Sequence, residues 1–330
     1  MASAPRPDVA TAPRRLSVLL CSHNPRADYL AQTLASLRRQ SLARDHWELL
    51  IIDNSSQQPL AACIDLRWHP CARVLQEPTL GLTPARLCGI AAADAELLVF
   101  VDDDNLLAEN YLEQALQIAA DHPQLGSWSG QCQGLFERPP PAWTQRYWGN
   151  LCLRQFDQPL WSNLPRLAQT MPAGAGLCVR RSVAGLYLQL HRNGERRFQF
   201  DRTGSSLLSG GDNDLAACAC RLGLGVGLFP QLQLQHLIPP ERLTAAYLAR
   251  LAEGIAYSSV LLDAIWQQPL PQRSRSGHLL DQLRLLRTPA PHRAILRAAL
   301  RGRNRAAAVV AGGGPVAASV AASVAPDDPC

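Results

Sequence analysis

Lysine is absent from this chain of 330 residues: all 32 basic residues are arginine, which excludes a lysine nucleophile or a Schiff-base lysine. Paired cysteines are nearly absent too. The ten cysteines sit singly apart from Cys218 and Cys220, and no Cys-x-x-Cys occurs. Cys218-Ala-Cys220 cannot set both sulfurs on one helix face, so a zinc site there is excluded and the pattern reads as reduced thiols. No run of 18 strongly apolar residues exists, and Ala306–Val324 is broken by Gly312–Gly314 and Pro315, which argues against a membrane span. No signal-peptide pattern and no nucleic-acid-binding motif is present. Together these absences lead to the expectation of a cytoplasmic protein that binds no nucleic acid.

What is present describes a globular chain. Apolar residues make up 47%, and the length suffices for one large α/β domain or two smaller ones with a sizeable core. The net charge of +5 is unevenly placed: residues 1–270 carry 23 arginines against 24 acids, and residues 271–310 carry nine arginines against Asp281 alone. That segment also holds apolar runs such as Leu279-Leu280 and Leu285-Leu286. It reads as basic amphipathic helices, able either to lie on an anionic membrane surface or to pack on the body with solvated arginines.

Short aliphatic runs give buried strands at Leu16–Cys21, Trp47–Ile52 and Leu97–Val101, with a shorter one near Arg73–Gln76. Helical patterns lie between them, through Tyr29, Leu30, Leu34 and Leu37, over Thr83–Ala95, and over Glu109–Asp121. Strand and helix alternating at this pace predict a doubly wound, mostly parallel sheet flanked by helices. Residues 127–172 hold Trp128, Trp143, Tyr147, Trp148, Phe156 and Trp161 among prolines, a composition that predicts a loop-rich platform. Further on, Leu177–Val179 reads as a strand, and Asp214–Leu222 and Glu241–Gln268 as helices. The Ala/Val/Gly/Ser stretch from Ala306 reads as flexible and low in complexity, and Pro/Ala/Arg-rich residues 1–14 as disordered.

Asp102-Asp103-Asp104 is the most telling motif. Carboxylates at the carboxyl end of a buried strand project into the crevice where open α/β sheets bind ligands. Hard oxygen donors there suit Mg²⁺ or Mn²⁺ held against a phosphate. The alternative is a solvated acidic turn, with Asp104 or Asn105 capping the next helix. Three other elements accompany it: the strand-to-loop passage Ser17–Pro25, the strand end Leu49–Ser55, and Gly210-Gly211-Asp212-Asn213-Asp214. Asp53 at the second could accept from a base N–H or a ribose hydroxyl. In the last, either the glycines place Asp212 in a crevice, or Asp212 or Asp214 simply caps a helix.

In this order the VLLCSHNP, LLIIDNSS, GLTPARLCGI, LLVFVDDDN and GGDNDLA segments resemble family 2 glycosyltransferases of the GT-A fold, over roughly residues 15–260. The resemblance implies a nucleotide-sugar-binding half over 15–126 and an acceptor-binding, catalytic half over 127–270. A basic helical extension over 271–305 and a tail over 306–330 would follow. It implies that Asp53 and the loop at Asn24-Pro25 hold the nucleotide base and that Arg86 lies near the phosphates. Asp104 would be the metal ligand, and Asp102 or Asp103 would contact ribose or metal. Asp212 would be the general base. His236 and Arg242 resemble a His-x5-Arg element at the diphosphate, with His236 a further candidate ligand for Mg²⁺ or Mn²⁺. Departures from the pattern are Thr79 for asparagine, Leu87-Cys88 for Asn-x, and Gly211 for the glutamate beside Asp212.

The implied activity is metal-dependent, inverting transfer of a sugar from a nucleotide-diphospho-sugar to a glycan or lipid-linked acceptor. The setting would be cell-surface polysaccharide or glycolipid assembly, with peripheral contact at the inner membrane face through 271–305. Two rivals are a non-catalytic nucleotide- or glycan-binding module of the same fold and a sugar-nucleotide-forming nucleotidyltransferase. The latter calls for a glycine-rich basic loop after the first strand, which Ser22-His23-Asn24-Pro25 does not provide.

Overall fold

The computed structural model describes residues 15–198, 200–204, 206–268 and 275–312. Its first half alternates strand and helix: β1 (Leu16–Ser22), α1 (Ala27–Arg38), β2 (Trp47–Asp53), β3 (Ala72–Gln76), α2 (Leu82–Ala92) and β4 (Leu97–Asp102). A short β5 (Asn105–Leu107), α3 (Tyr111–Asp121), β6 (Leu125–Phe136), β7 (Leu160–Ser162) and β8 (Cys178–Arg180) follow. Then come α4 (Arg181–Arg192), α5 (Gly211–Arg221), β9 (Gly225–Ile238), α6 (Ala245–Ile265), α7 (Arg275–Arg287) and α8 (His292–Ala311).

The strands form one sheet in the order β3-β2-β1-β4-β8-β6-β9-β5, with β7 on β9. From β3 to β4 every pairing is parallel, and β8 then enters antiparallel between β4 and β6. The sheet is doubly wound. Leu16, Val18 and Leu20 face a core shared with Leu30, Leu34 and Leu37 of α1 and Leu112 and Ile118 of α3. Leu19 and Cys21, offset by one residue, face the other core with Ile90 of α2, Val183 of α4 and Leu215 of α5. This period-2 division explains why β1, β2 and β4 read as continuous apolar runs, since both faces are covered.

Residues 127–172 are more regular than their composition suggests. The twelve-residue β6 pairs in parallel with β9 along most of its length, with a register shift between Ser129 and Gln131. A side chain at Gly130 would have its Cβ 1.9 Å from the Leu232 carbonyl oxygen, so the strands cross where only glycine fits. The stretch read as one helix over Glu241–Gln268 divides into a 3-10 turn at Pro240–Leu243 and α6, whose first turn is capped by the Thr244 hydroxyl accepting from Tyr247 N.

Helix α8 continues through Ala311, correcting the reading of a flexible tail from Ala306 onward. Ala306 is fully buried beside Tyr257 and Leu261 of α6, and alanine is the strongest helix former, so low complexity here marks a packed helix. Residues 1–14 and 313–330, read as disordered and flexible, lie outside the described residues.

Candidate active site

Parallel register brings three strand ends to one edge. Ser22 pairs with Asp53, and Cys21 with Asp102, so the carboxyl ends of β2, β1 and β4 stop at the same level. Antiparallel pairing of β5 with β9 then sets Asn105 opposite His236, and the Leu237 N–H donates to the Asp104 carbonyl at 2.9 Å. The sheet itself therefore brings Asp104 and His236 together from 132 positions apart. A cavity of about 440 Å³ opens over this edge, within the usual size range for small-molecule sites. Asp102, Asp103, Asp104, Arg86, Asp212 and His236 all line it, as do Asn24, Pro25 and Arg242.

The three aspartates are not equivalent. The Ser22 hydroxyl donates to Asp103, yet burial, and after it the adjacent Asp104 charge, push the Asp103 carboxyl up to about 7. Burial and the Asp104 charge likewise raise Asp102. Burial opposes ionisation of Asp104 as well, but there the His236 ring in its protonated form and the Arg242 guanidinium outweigh it and hold the carboxyl well below the usual range. For two of the three carboxylates, burial and the neighbouring negative charge outweigh the nearby positive groups.

Around Asp104 a carboxylate, an imidazole and a guanidinium converge. Arg242 Nη1 lies 2.9 Å from Asp104 Oδ2 and 2.9 Å from His236 Nε2, which are themselves 3.3 Å apart. His236 Nδ1 stands 3.0 Å from the Leu151 carbonyl, and donating there leaves the Nε2 lone pair facing the guanidinium. Two acceptors therefore converge on one positive nitrogen. Carboxylate oxygens are suitable donors for Mg²⁺ or Mn²⁺, whereas an imidazole nitrogen suits softer first-row metals, and the position they share is held by a guanidinium. Among the described residues no cluster of three or more such ligands is assembled.

Across the cavity, Asp212 sits in the first turn of α5. Its Oδ2 accepts from Gly174 N at 2.6 Å, and among the described residues Oδ1 has no hydrogen-bond partner. A Cβ at Gly174 would lie 2.9 Å from that Oδ2, so the glycine lets the backbone approach the carboxylate. Asp214, its neighbour in sequence, is fully buried and bound to Arg196 Nε at 2.7 Å and Trp266 Nε1 at 2.9 Å. The helix twist thus separates a cavity-facing carboxylate from a structural one.

Three sequence expectations meet different geometry. Asp53 is fully buried, and its oxygens accept from Ser56 N, Leu60 N and Gln76 Nε2 at 2.9–3.1 Å. It anchors the loop after β2, and its neighbour Asn54 lines the cavity instead. Asn24 reaches the cavity, but its Oδ1 accepts from Gln57 N and its own N–H donates to Ser56, so it ties two strand-end loops together. Arg86 is 5% exposed and paired with Asp201 at 2.8 Å. Burial opposes its charge, and the carboxylates of Asp201, Asp212 and Asp102 outweigh that.

Asp201 itself gave no sequence signal. It lies in a stretch without periodicity, and its partners Thr83, Arg86 and Gly211 are distant in the chain. A larger groove of about 1010 Å³ runs between α1 and the 56–68 loop, but no carboxylates converge there.

Comparison with known proteins agrees with this architecture. Residues 17–170 match glycosyl transferase family 2. That match covers a little under half of the chain. Over 112 residues the chain is 30% identical to a Bacillus subtilis protein assigned as the glycosyltransferase EpsH, covering 33% of this chain and 32% of that protein. The chain thus spans about a third of that relative's length. Beyond the family 2 segment the fold continues to correspond. S. aureus TarS, solved with UDP-GlcNAc, superposes with a TM-score of 0.53 at 15% identity, covering 88% of this chain and 73% of that one. The mannosyltransferase PcManGT of Pyrobaculum calidifontis, solved with GDP-Man and Mn2+, gives 0.51 at 20% identity, covering 92% and 79%. The fold is GT-A.

Proposed function

We propose that this chain is an inverting glycosyltransferase, moving a sugar from a nucleotide-diphospho-sugar to a hydroxyl acceptor. The observation that carries the reading is one cavity lined both by the acidic strand edge Asp102–Asp104 and by Asp212 at the start of α5. Asp104, His236 and Asp102 are the residues that would hold Mg²⁺ or Mn²⁺. Such a cation supplies charge neutralisation for a leaving diphosphate. Asn24, Pro25 and Asn54 form the wall where the nucleoside would rest, and Arg86 and Arg242 add positive charge near Asp102–Asp104.

Asp212 is assigned as general base. Its Oδ2 is fixed by Gly174 N, so Oδ1 can take the acceptor proton as the acceptor oxygen attacks the anomeric carbon. The bond from that carbon to the diphosphate breaks in the same displacement. A single base opposite the leaving group makes the attack in-line, hence inversion. The test is a panel of UDP-, GDP- and dTDP-sugars assayed for transfer and hydrolysis with and without Mn²⁺, alongside Asp212→Asn. Absence of turnover with every donor would return the reading to a binding module.

The role in cell-surface polysaccharide or glycolipid assembly is part of the same proposal, supported by α7. On this helix Leu279, Leu280, Leu283 and Leu286 are 63, 55, 40 and 74% exposed, while Asp281 and Leu285 face the body. Arg284 and Arg287 are exposed beside the leucines. No helix among the described residues is long and apolar enough to cross a membrane. A basic, leucine-faced helix fits an anionic bilayer surface, where it would bring a lipid-linked acceptor close.

A further inference from the structure

Four arginines line the cavity: Arg26, Arg86, Arg202 and Arg242. Three are committed to carboxylates of the protein. Arg26 pairs with Asp28 and Glu137, Arg86 with Asp201, and Arg242 with Asp104, each at 2.6–2.9 Å. Arg202 alone differs. Its side chain is exposed at the cavity and has no ion pair or side-chain hydrogen bond among the described residues. It is nevertheless close enough that its charge favours ionisation of both Asp102 and Asp104.

The residue before it explains how Arg202 is held there. Asp201 has φ 72°, a left-handed conformation that is disfavoured for a residue with a side chain. Its carboxylate offsets this cost from inside the protein. Oδ2 accepts from Thr83 Oγ1 at 3.0 Å and Arg86 Nη1 at 2.8 Å, and Oδ1 accepts from Gly211 N at 2.9 Å. It fills the space beside Gly211, where a Cβ would stand only 2.0 Å from Oδ2. On the other side of the turn, the Arg202 carbonyl accepts from Leu82 N at 3.1 Å. With Asp201 turned inward and the next carbonyl tied to α2, the Arg202 side chain is left at the cavity.

A diphosphate entering this cavity meets Asp102, Asp103 and Asp212, none of them paired with an arginine at ion-pair distance among the described residues. It needs positive charge that the protein has not already neutralised, and guanidinium matches phosphate oxygens in a two-pronged geometry. We propose that Arg202 is a diphosphate-binding residue of this cavity, presented by the inward anchor Asp201. The proposal rests on the cavity being the nucleotide-sugar site.

Calorimetric titration of the full chain with UDP, GDP and dTDP, in Mg²⁺ and in Mn²⁺, tests it. Uridine, guanosine and thymidine serve as phosphate-free probes. Arg202→Gln should weaken the best diphosphate about ten- to hundredfold and flatten its salt dependence, with nucleoside binding unchanged and Arg202→Lys recovering part of the loss. Asp201→Asn should weaken the diphosphate in the same direction, and adding Arg202→Gln to it should weaken binding less than in the wild type. Wild-type diphosphate binding that Arg202→Gln leaves intact would overturn the proposal while sparing the proposed function. A wild type that binds none of the diphosphates would overturn both. Thermal unfolding of Arg202→Gln should match the wild type, because the side chain is exposed.

Discussion

The carboxylates at the end of β4 and the carboxylate at the start of α5 face the same cavity but are held by different means. Asp102–Asp104 are set by strand register: β1 on one side, β8 on the other, and β9 through β5. Their positions follow from backbone hydrogen bonds that no single side chain controls. Asp212 depends instead on a loop-to-helix turn fixed by a few contacts, namely Gly174 N on its own carboxylate and Asp201 on the amide of Gly211. The rigid edge concentrates negative charge, and the pinned turn brings the carboxylate of Asp212 and the guanidinium of Arg202 to the same cavity. Substitutions on the edge should therefore alter ligand binding with little effect on geometry, whereas substitutions in the turn should alter geometry first.

Asp212→Asn gives the largest expected effect. The amide keeps an oxygen to accept from Gly174 N and loses basicity, so transfer should fall by about two to four orders of magnitude while donor binding persists. Steady-state kinetics together with nucleotide titration separate the two. Near-normal transfer would remove Asp212 from the role of base, and Asp214, sealed by Arg196 and Trp266, could not replace it without moving α5.

Asp104→Ala probes the rigid edge. It leaves His236 and Arg242 in place but takes away the carboxylate on which both converge. Donor binding should lose its dependence on Mn²⁺ or Mg²⁺, with nucleotide affinity in saturating metal falling to the value measured in chelator. Unchanged metal dependence would show that Asp104 is not a ligand. The fold should survive, since the Asp104 backbone bond to Leu237 N is untouched.

Matched glycine substitutions sharpen the contrast in the turn. Gly211→Ala drives a methyl into the Asp201 carboxylate and should destabilise the protein by about 1–3 kcal/mol, the range for overpacking. Gly185→Ala in α4 meets nothing within 4 Å and should stabilise it by roughly 0.4–1 kcal/mol through helix propensity. Denaturant midpoints decide. A Gly211→Ala variant no less stable than the wild type would mean that the Asp201 anchor yields to its neighbour and the turn is not pinned as described.

The same contrast governs what could be read in the sequence. β1, β2 and β4 announce themselves because burial on both faces demands short aliphatic runs, and their acidic ends are adjacent in the chain. Asp53 shares that pattern, yet its oxygens turn to Ser56, Leu60 and Gln76; a strand-end position alone cannot tell a ligand contact from a loop anchor. β6 was hidden because Gly126, Ser127, Ser129 and Gly130 follow the close approach of β9 and α5 and not strand propensity. Asp201 was invisible for a related reason: its meaning lies in Thr83, Arg86 and Gly211, residues that no local pattern links to it. The absent side chain at Gly211 was legible, but what fills its space was not.

The last expected effect lies outside both regions, on α7. If its exposed leucines meet a bilayer, each of Arg284 and Arg287 near an anionic surface adds about 1 kcal/mol, and burial of the leucines adds apolar transfer energy. The triple variant Leu280→Gln/Leu283→Gln/Leu286→Gln should then reduce sedimentation with phosphatidylserine-containing vesicles about tenfold, while turnover of a water-soluble acceptor stays at the wild-type level. Added salt should weaken wild-type binding, because the arginine contribution is screened over roughly 10 Å at 0.1 M ionic strength. Phosphatidylcholine vesicles alone should bind the wild type poorly. Equal binding to both vesicle types, or no loss in the triple variant, would leave α7 as a helix whose leucines face water. The edge and the turn would then have to take their acceptor from solution.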